Sequence, residues 1–178
     1  MLNNKKLLPY IAMPLIIAAY LIFKYKTDDI MTILYSVSLI AFGYVATYSD
    51  IKTKKIPNKL VLSMLVVWVV LMSVYIIVDI GKAVNILIPS LISGAAAGAF
   101  FLAIYYISRK GVGGGDVKLI AVMGLHMTLA KLMPMLFLSS LITALVSIAL
   151  LLTKRATMKT AIPLVPFLYL GTLITIFM

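Results

Sequence analysis

The chain has 178 residues, 63% of them hydrophobic, a mean hydropathy of +1.15 and a net charge of +11. A soluble domain is nearer half apolar, so lipid is the expected solvent, and the excess of Lys and Arg reads as loop charge facing anionic lipid headgroups rather than nucleic acid. With no cysteine and one histidine, His126, the chain lacks disulfides, thiolate zinc sites and thiol nucleophiles, and neither a metal site nor another cofactor is expected.

In chain order, the first apolar run covers residues 7–23, after Lys5 and Lys6, and reads as a retained helix bent at Pro14 rather than as a cleaved signal. Further spans are read at 30–48, 60–78 and 86–107, a shorter one at 117–130, a clear one at 132–152 and a last at 161–178. Lengths of about 17 to 25 residues suit the hydrocarbon thickness; the fifth run suits a tilted, interfacial or protein-buried helix. The expected fold is therefore all-α, a polytopic membrane helical bundle of about seven transmembrane helices, with six as the alternative if the fifth and sixth runs merge. No repeat or loop long enough for a further domain is seen, so residues 1–178 read as a single membrane-embedded domain.

Loop charge orients the bundle. With the N-terminus inside, the inner segments carry Lys5, Lys6, Lys52, Lys54, Lys55, Lys59, Arg109, Lys110, Lys118, Lys154, Arg155 and Lys159. The outer loops carry Lys24, Lys26, Lys82 and Lys131. Twelve cations against four is the asymmetry expected of cytoplasmic loops. The six-span alternative moves Lys154, Arg155 and Lys159 outside and weakens it.

There is no glutamate, and the five acids are Asp28, Asp29, Asp50, Asp79 and Asp116. Asp28, Asp29 and Asp79 fall in outer loops and read as solvated charge. Asp50 ends the second span and Asp116 starts the fifth, so two acids sixty-six residues apart share the inner boundary of the membrane. Two carboxylates brought close cannot both ionise cheaply and share a proton. One then acts as general base toward water and the other as general acid toward an amide, which hydrolyses peptides without metal, thiol or serine. Acids at a membrane boundary are functional candidates by default.

Asp50 is followed by Ile56-Pro57-Asn58, and Asp116 closes the run Gly111-Val112-Gly113-Gly114-Gly115. Pro57 and Asn58 shape a turn. Glycine permits close backbone approach, so Gly113, Gly114 and Gly115 suit an extended substrate lying against the loop. A phosphate cradle would need the Lys and Ser/Thr of a P-loop after a strand, and neither is present.

These two segments resemble the type IV prepilin peptidases and the archaeal preflagellin peptidases, the GxGD membrane aspartyl proteases. Gly113-Gly114-Gly115-Asp116 with Val117-Lys118-Leu119 matches the second motif, and Asp50 with Ile56-Pro57-Asn58 the first. Ile162-Pro163-Leu164-Val165-Pro166-Phe167 is similar to the family's final-helix segment. The resemblance implies an aspartic endopeptidase of the cell membrane, with Asp50 and Asp116 catalytic. It would cut short basic leaders from prepilin-like precursors at the cytoplasmic boundary. The large bacterial form has an N-terminal segment with paired cysteines and also methylates the new N-terminus; with no cysteine and about six residues before the first span, methyltransferase activity is in doubt here. The presenilin type is a poorer match, because Ser49 separates Tyr48 from Asp50.

Two rival classes are kept: a proton- or ion-coupled transporter using both acids as a relay, and a non-enzymatic subunit of a secretion or pilus assembly. Gly94-Ala-Ala-Ala-Gly98 reads as a close helix-packing face, either within the chain or in a dimer, and oligomeric state stays open. His126, near the outer side, and mid-span Trp68 read as structural, and Lys118 as pairing with a carboxylate or lipid.

Overall fold

The computed structural model describes residues 4–108, 113–155, 157, 160 and 162–178, with side chains from residue 12 onward. Lys5, Lys6, Arg109, Lys110, Gly111, Val112 and Lys159, named above, lie outside these residues or have side chains that do, as does residue 161 of the last span. The elements are α1 (Asn4–Lys24), α2 (Ile30–Thr53), α3 (Asn58–Val78), α4 (Ile80–Ile107), α5 (Gly114–His126), α6 (Leu129–Leu152) and α7 (Val165–Phe177). Among the described residues there is no strand. The fold is a polytopic helical bundle, with seven helices among the described residues, as the hydropathy pattern leads one to expect.

Four helices, α2, α3, α4 and α6, are long and apolar enough to cross a bilayer by length and composition. Each offers lipid a broad face: Leu62, Val66, Val69 and Val70 of α3 and Phe137, Leu141, Leu145 and Ile148 of α6 are exposed. In lipid such exposure carries no hydrophobic cost, so what holds these helices together is close packing and polar contact.

Helix ends differ from the apolar runs, because caps rather than hydropathy decide where backbone bonding starts and stops. Asp29 caps α2, its Oδ2 accepting from the Met31 N–H at 3.3 Å, and Tyr75 at the end of α3 donates to the same oxygen at 3.4 Å. Asp79 caps α4, accepting from the Lys82 N–H at 3.0 Å, and so starts it at Ile80 rather than at residue 86. Two acids expected as solvated charge are thus helix caps. A third, Asp28, accepts from the Tyr20 hydroxyl at 3.3 Å and ties α1 to the α2 entry.

The short fifth run becomes α5, only 13 residues long, yet Val117, Leu119, Ile120, Val122, Met123, Gly124 and His126 are all buried. A helix covered on so many sides is a central strut rather than a lipid-facing span. It packs on α4 at near backbone contact. A methyl group placed at Gly124 would stand 2.9 Å from the Gly94 Cα and 3.0 Å from the Ser93 carbonyl oxygen. One at Gly98 would meet the Ala121 Cβ at 3.1 Å. The small-residue face of α4 is therefore occupied by α5 of the same chain. Trp68 packs with Met31, Tyr35, Met72, Tyr75 and Ala83 in a cluster distinct from the main core.

A side chain at Gly124 must push two backbones apart, and overpacking of this kind costs about 1–3 kcal/mol. Gly124→Ala should lower the thermal unfolding midpoint in detergent by several degrees. Gly81→Ala, where the nearest atom would be the Asp79 Oδ1 at 3.5 Å, should leave it unchanged.

Candidate active site

Asp50 lies in the last turn of α2 and is 6% exposed. Helix α2 stops three residues later because Lys54 takes the left-handed conformation, φ 51° and ψ 31°, and returns its N–H to the Asp50 carbonyl at 2.8 Å. Glycine or asparagine usually fills such a cap; here hydroxyls brace it. Ser49 Oγ donates to the Lys55 carbonyl at 2.9 Å and Thr53 Oγ1 to the same oxygen at 3.2 Å. Pro57 then starts α3, its carbonyl accepting from the Leu60 N–H at 3.0 Å.

The Asp50 side chain reaches a third element. Its Oδ2 accepts from the Val165 N–H at 3.1 Å, a buried bond. Val165 is the first residue of α7, and Pro166 follows in the first turn. The first N–H groups of a helix have no partner within it, so a carboxylate satisfies one of them while lying at the positive end of the helix dipole. Sequence reasoning flagged the Ile162–Phe167 stretch only for its resemblance and assigned Val165 no role. A backbone donor leaves no side-chain signature to read.

Asp116 sits three residues after Gly113, which precedes the first turn of α5. Its carboxylate folds back to accept from the Gly113 N–H, the acid half of a capping box. The fold-back needs glycine: a Cβ at Gly113 would stand 2.7 Å from the Asp116 Oδ2. Gly115 faces the turn after α2, where a Cβ would meet the Ile56 Cβ at 3.2 Å. The glycine run thus lets the Ile56-Pro57 segment close over the start of α5. For Gly114 the nearest atom to an added Cβ is Cε2 of Tyr105, at 3.8 Å, an ordinary contact.

The two aspartates, expected to pair from their place in sequence, line one cavity of about 280 Å³ together with Lys54, Lys55, Ile56, Asn58, Gly113, Gly114 and Gly115. At ~30 Å³ per water, that holds roughly nine waters, room for a stretch of peptide backbone and a reacting water. Asn58 is held by Lys118, whose Nζ donates to its Oδ1 at 3.2 Å; Lys118 therefore pairs with an amide rather than with a carboxylate. Pro57 shapes the rim without lining the cavity. Among the described residues no group of three or more His, Cys, Asp or Glu side chains could hold a metal.

Asp116 precedes the apolar stretch of α5, at the boundary of the bundle. Burial first, and then the charge of Asp50, push its carboxyl up to about 6, with the Gly113 N–H pulling the other way. The folded state therefore holds the Asp116 proton more tightly than the unfolded chain does. This contribution to stability is complete below the ordinary carboxyl value of 3.8 and is lost as pH rises through about 6. The unfolding midpoint of the protein in detergent should fall between pH 4 and pH 7, and Asp116→Asn should flatten that slope; an unchanged slope in the variant would assign the proton elsewhere.

Residues 37–148 match the type IV leader peptidase family, a stretch that includes Asp50, Pro57, Asn58, the glycines and Asp116 and stops short of Val165. A relative from Bacillus subtilis (strain 168), named prepilin leader peptidase/N-methyltransferase, is 42% identical over 82 residues. That segment covers 46% of this chain and 33% of the relative, so the chain spans about a third of the relative's length. No solved structure matches the chain.

Proposed function

The chain belongs to the type IV leader peptidase family, and on that premise we propose that it is an aspartic endopeptidase that removes the basic leader of prepilin-like precursors. The observation that carries the reading is the shared cavity of Asp50 and Asp116 beside a glycine-rich strip of backbone. Asp116, whose carboxyl burial raises to about 6, serves as the acid in its protonated form; Asp50, held by the Val165 N–H, serves as the base. Asp50 takes a proton from water as the water oxygen attacks the scissile carbonyl. Asp116 gives its proton to the carbonyl oxygen. When the tetrahedral intermediate collapses, the C–N bond breaks, the leaving amine takes the proton gathered on Asp50, and a hydroxyl of the intermediate returns its proton to Asp116, leaving a carboxyl group on the released leader. Gly113 and Gly115 keep the wall beside the dyad low, so that an extended leader lies along it, and Asn58 borders its path.

The bundle is read as a single membrane-embedded peptidase domain of the cell membrane, with the dyad at the cytoplasmic face. The asymmetry of twelve cations against four supports that orientation. Anionic headgroups neutralise the lysines of this face, which leaves the two acids to attract a basic leader. A transporter using a carboxylate relay would carry its acids near mid-bilayer in broken helices. Both acids here lie in terminal turns beside a rim of polar groups, which favours the peptidase reading. The second activity in the relative's name is not proposed for this chain.

Co-expression with a prepilin-like precursor tests the reading. Wild type should convert the precursor, and Asp50→Asn and Asp116→Asn should each lose at least about 10²-fold in rate at normal membrane levels. Cleavage that persists in either variant removes the dyad, and a chain indifferent to both losses is an assembly subunit. Gly113→Ala displaces only the tip of the Asp116 side chain, so it should cut the rate about tenfold or more while leaving the unfolding midpoint within about 2 °C of wild type.

A further inference from the structure

A second polar cavity lies at the opposite end of the bundle. His126 closes α5 ten residues beyond Asp116, about 15 Å along the axis at ~1.5 Å per residue. There α2, α4, α5, α6 and α7 converge on a cavity of about 150 Å³ whose lining includes Thr32, Ser36, Ser90, His126, Thr128 and Lys131. The proposed hydrolysis uses none of them.

His126 specifies what the occupant must offer. Its ring is 8% exposed and stacks edge-on against Tyr35, centroids 6.0 Å apart. Nδ1 lies 3.0 Å from the Val122 carbonyl oxygen. A carbonyl only accepts, so Nδ1 carries the proton, and in the neutral ring Nε2 is a bare acceptor. That Nε2 is buried and has no partner among the described residues, an arrangement native structures rarely leave unmet. His126 is part of the cavity wall, so an occupant that donates a hydrogen bond would meet this need. Lys131, exposed in the first turn of α6 at the cavity's edge, adds a cation, and no acid lines the cavity. A ligand with a hydroxyl donor and a single negative charge satisfies both groups. An ammonium donor would meet Lys131 with no counter-charge, and a quaternary ammonium has no proton to give. The volume, about five waters at ~30 Å³ each, fits a three-carbon polyol. The remaining wall is apolar, from Leu39, Ile86, Met127 and Ile176, and the site lies at the end of helices that cross lipid.

We propose that this cavity seats the headgroup of phosphatidylglycerol, a headgroup hydroxyl donating to His126 Nε2 and the phosphate lying beside the Lys131 ammonium. A free glycerol phosphate offers the same hydroxyl donor and a phosphate, with the larger negative charge of a monoester; the apolar wall and the position at the membrane boundary favour the lipid.

Thermal unfolding of the purified full chain in detergent, with short-chain lipids added to the micelles, tests this. Phosphatidylglycerol should raise the midpoint by on the order of 5 °C, well beyond the effect of phosphatidylethanolamine or phosphatidylcholine at equal mole fraction. His126→Phe keeps the ring against Tyr35 but removes the acceptor, and should abolish the preference; Lys131→Gln, on an exposed side chain, should weaken it at least threefold in lipid concentration. If His126→Phe does not fold, Lys131→Gln and the count of phosphatidylglycerol molecules retained in native mass spectrometry decide. Equal shifts with all three lipids, no shift with phosphatidylglycerol, or a preference untouched in the folded variants overturns the proposal. An equal shift from soluble glycerol 3-phosphate would overturn the lipid assignment and leave a free phosphate ester as the ligand.

Discussion

Everything at the end of the bundle that holds Asp50 and Asp116 depends on how closely α5 can approach α4. Asp116 sits in the first turn of a helix too short to be held by lipid, so its position is only as fixed as the packing around that helix. The packing is set where Gly124 meets Gly94 and the Ser93 carbonyl with no room for a methyl group. In a bilayer, burying apolar side chains supplies little drive, and van der Waals contact between backbones has to supply it instead. Two glycines on facing helices allow that contact, and they place a carboxylate at a defined depth in the bundle.

The other carboxylate is placed by helix-end chemistry. Asp50 lies near the C-terminus of α2, the electrically unfavourable end for an acid. The first N–H of α7 offsets this by donating to its carboxylate. Asp116 has the favourable end of its own helix and a donor from Gly113. Three helix termini, the end of α2 and the starts of α5 and α7, thus meet around two acids. The same groups that would otherwise be unsatisfied backbone donors become the means of aiming the side chains, so stability and site geometry share one set of hydrogen bonds.

The opposite end follows a parallel rule with different residues. There Asp29 and Asp79 cap α2 and α4, and Tyr20 and Tyr75 tie neighbouring elements to Asp28 and Asp29. The acids of that end are spent on architecture. At the other end Asp50 and Asp116 serve architecture too, yet both also face a cavity. That exposure to a shared space, rather than any difference in residue type, separates the two groups of acids.

The sequence by itself determined the apolar surroundings, the number of helices and that both candidate acids share one end of the bundle, because span length and hydropathy are local quantities set by the bilayer's thickness. Residues in the Asp50–Asn58 and Gly113–Asp116 segments were legible as a candidate site because glycine runs and paired acids are rare in so apolar a chain. Only the tertiary structure decided that α5 is wrapped by protein, that Lys118 pairs with Asn58, that Asp29 and Asp79 are caps, and that Val165 donates to Asp50. The Val165 contact links residues 115 apart through a backbone N–H, and every non-proline residue carries one. No pattern of side chains marks which N–H will be used, so the choice exists only once the helices have packed.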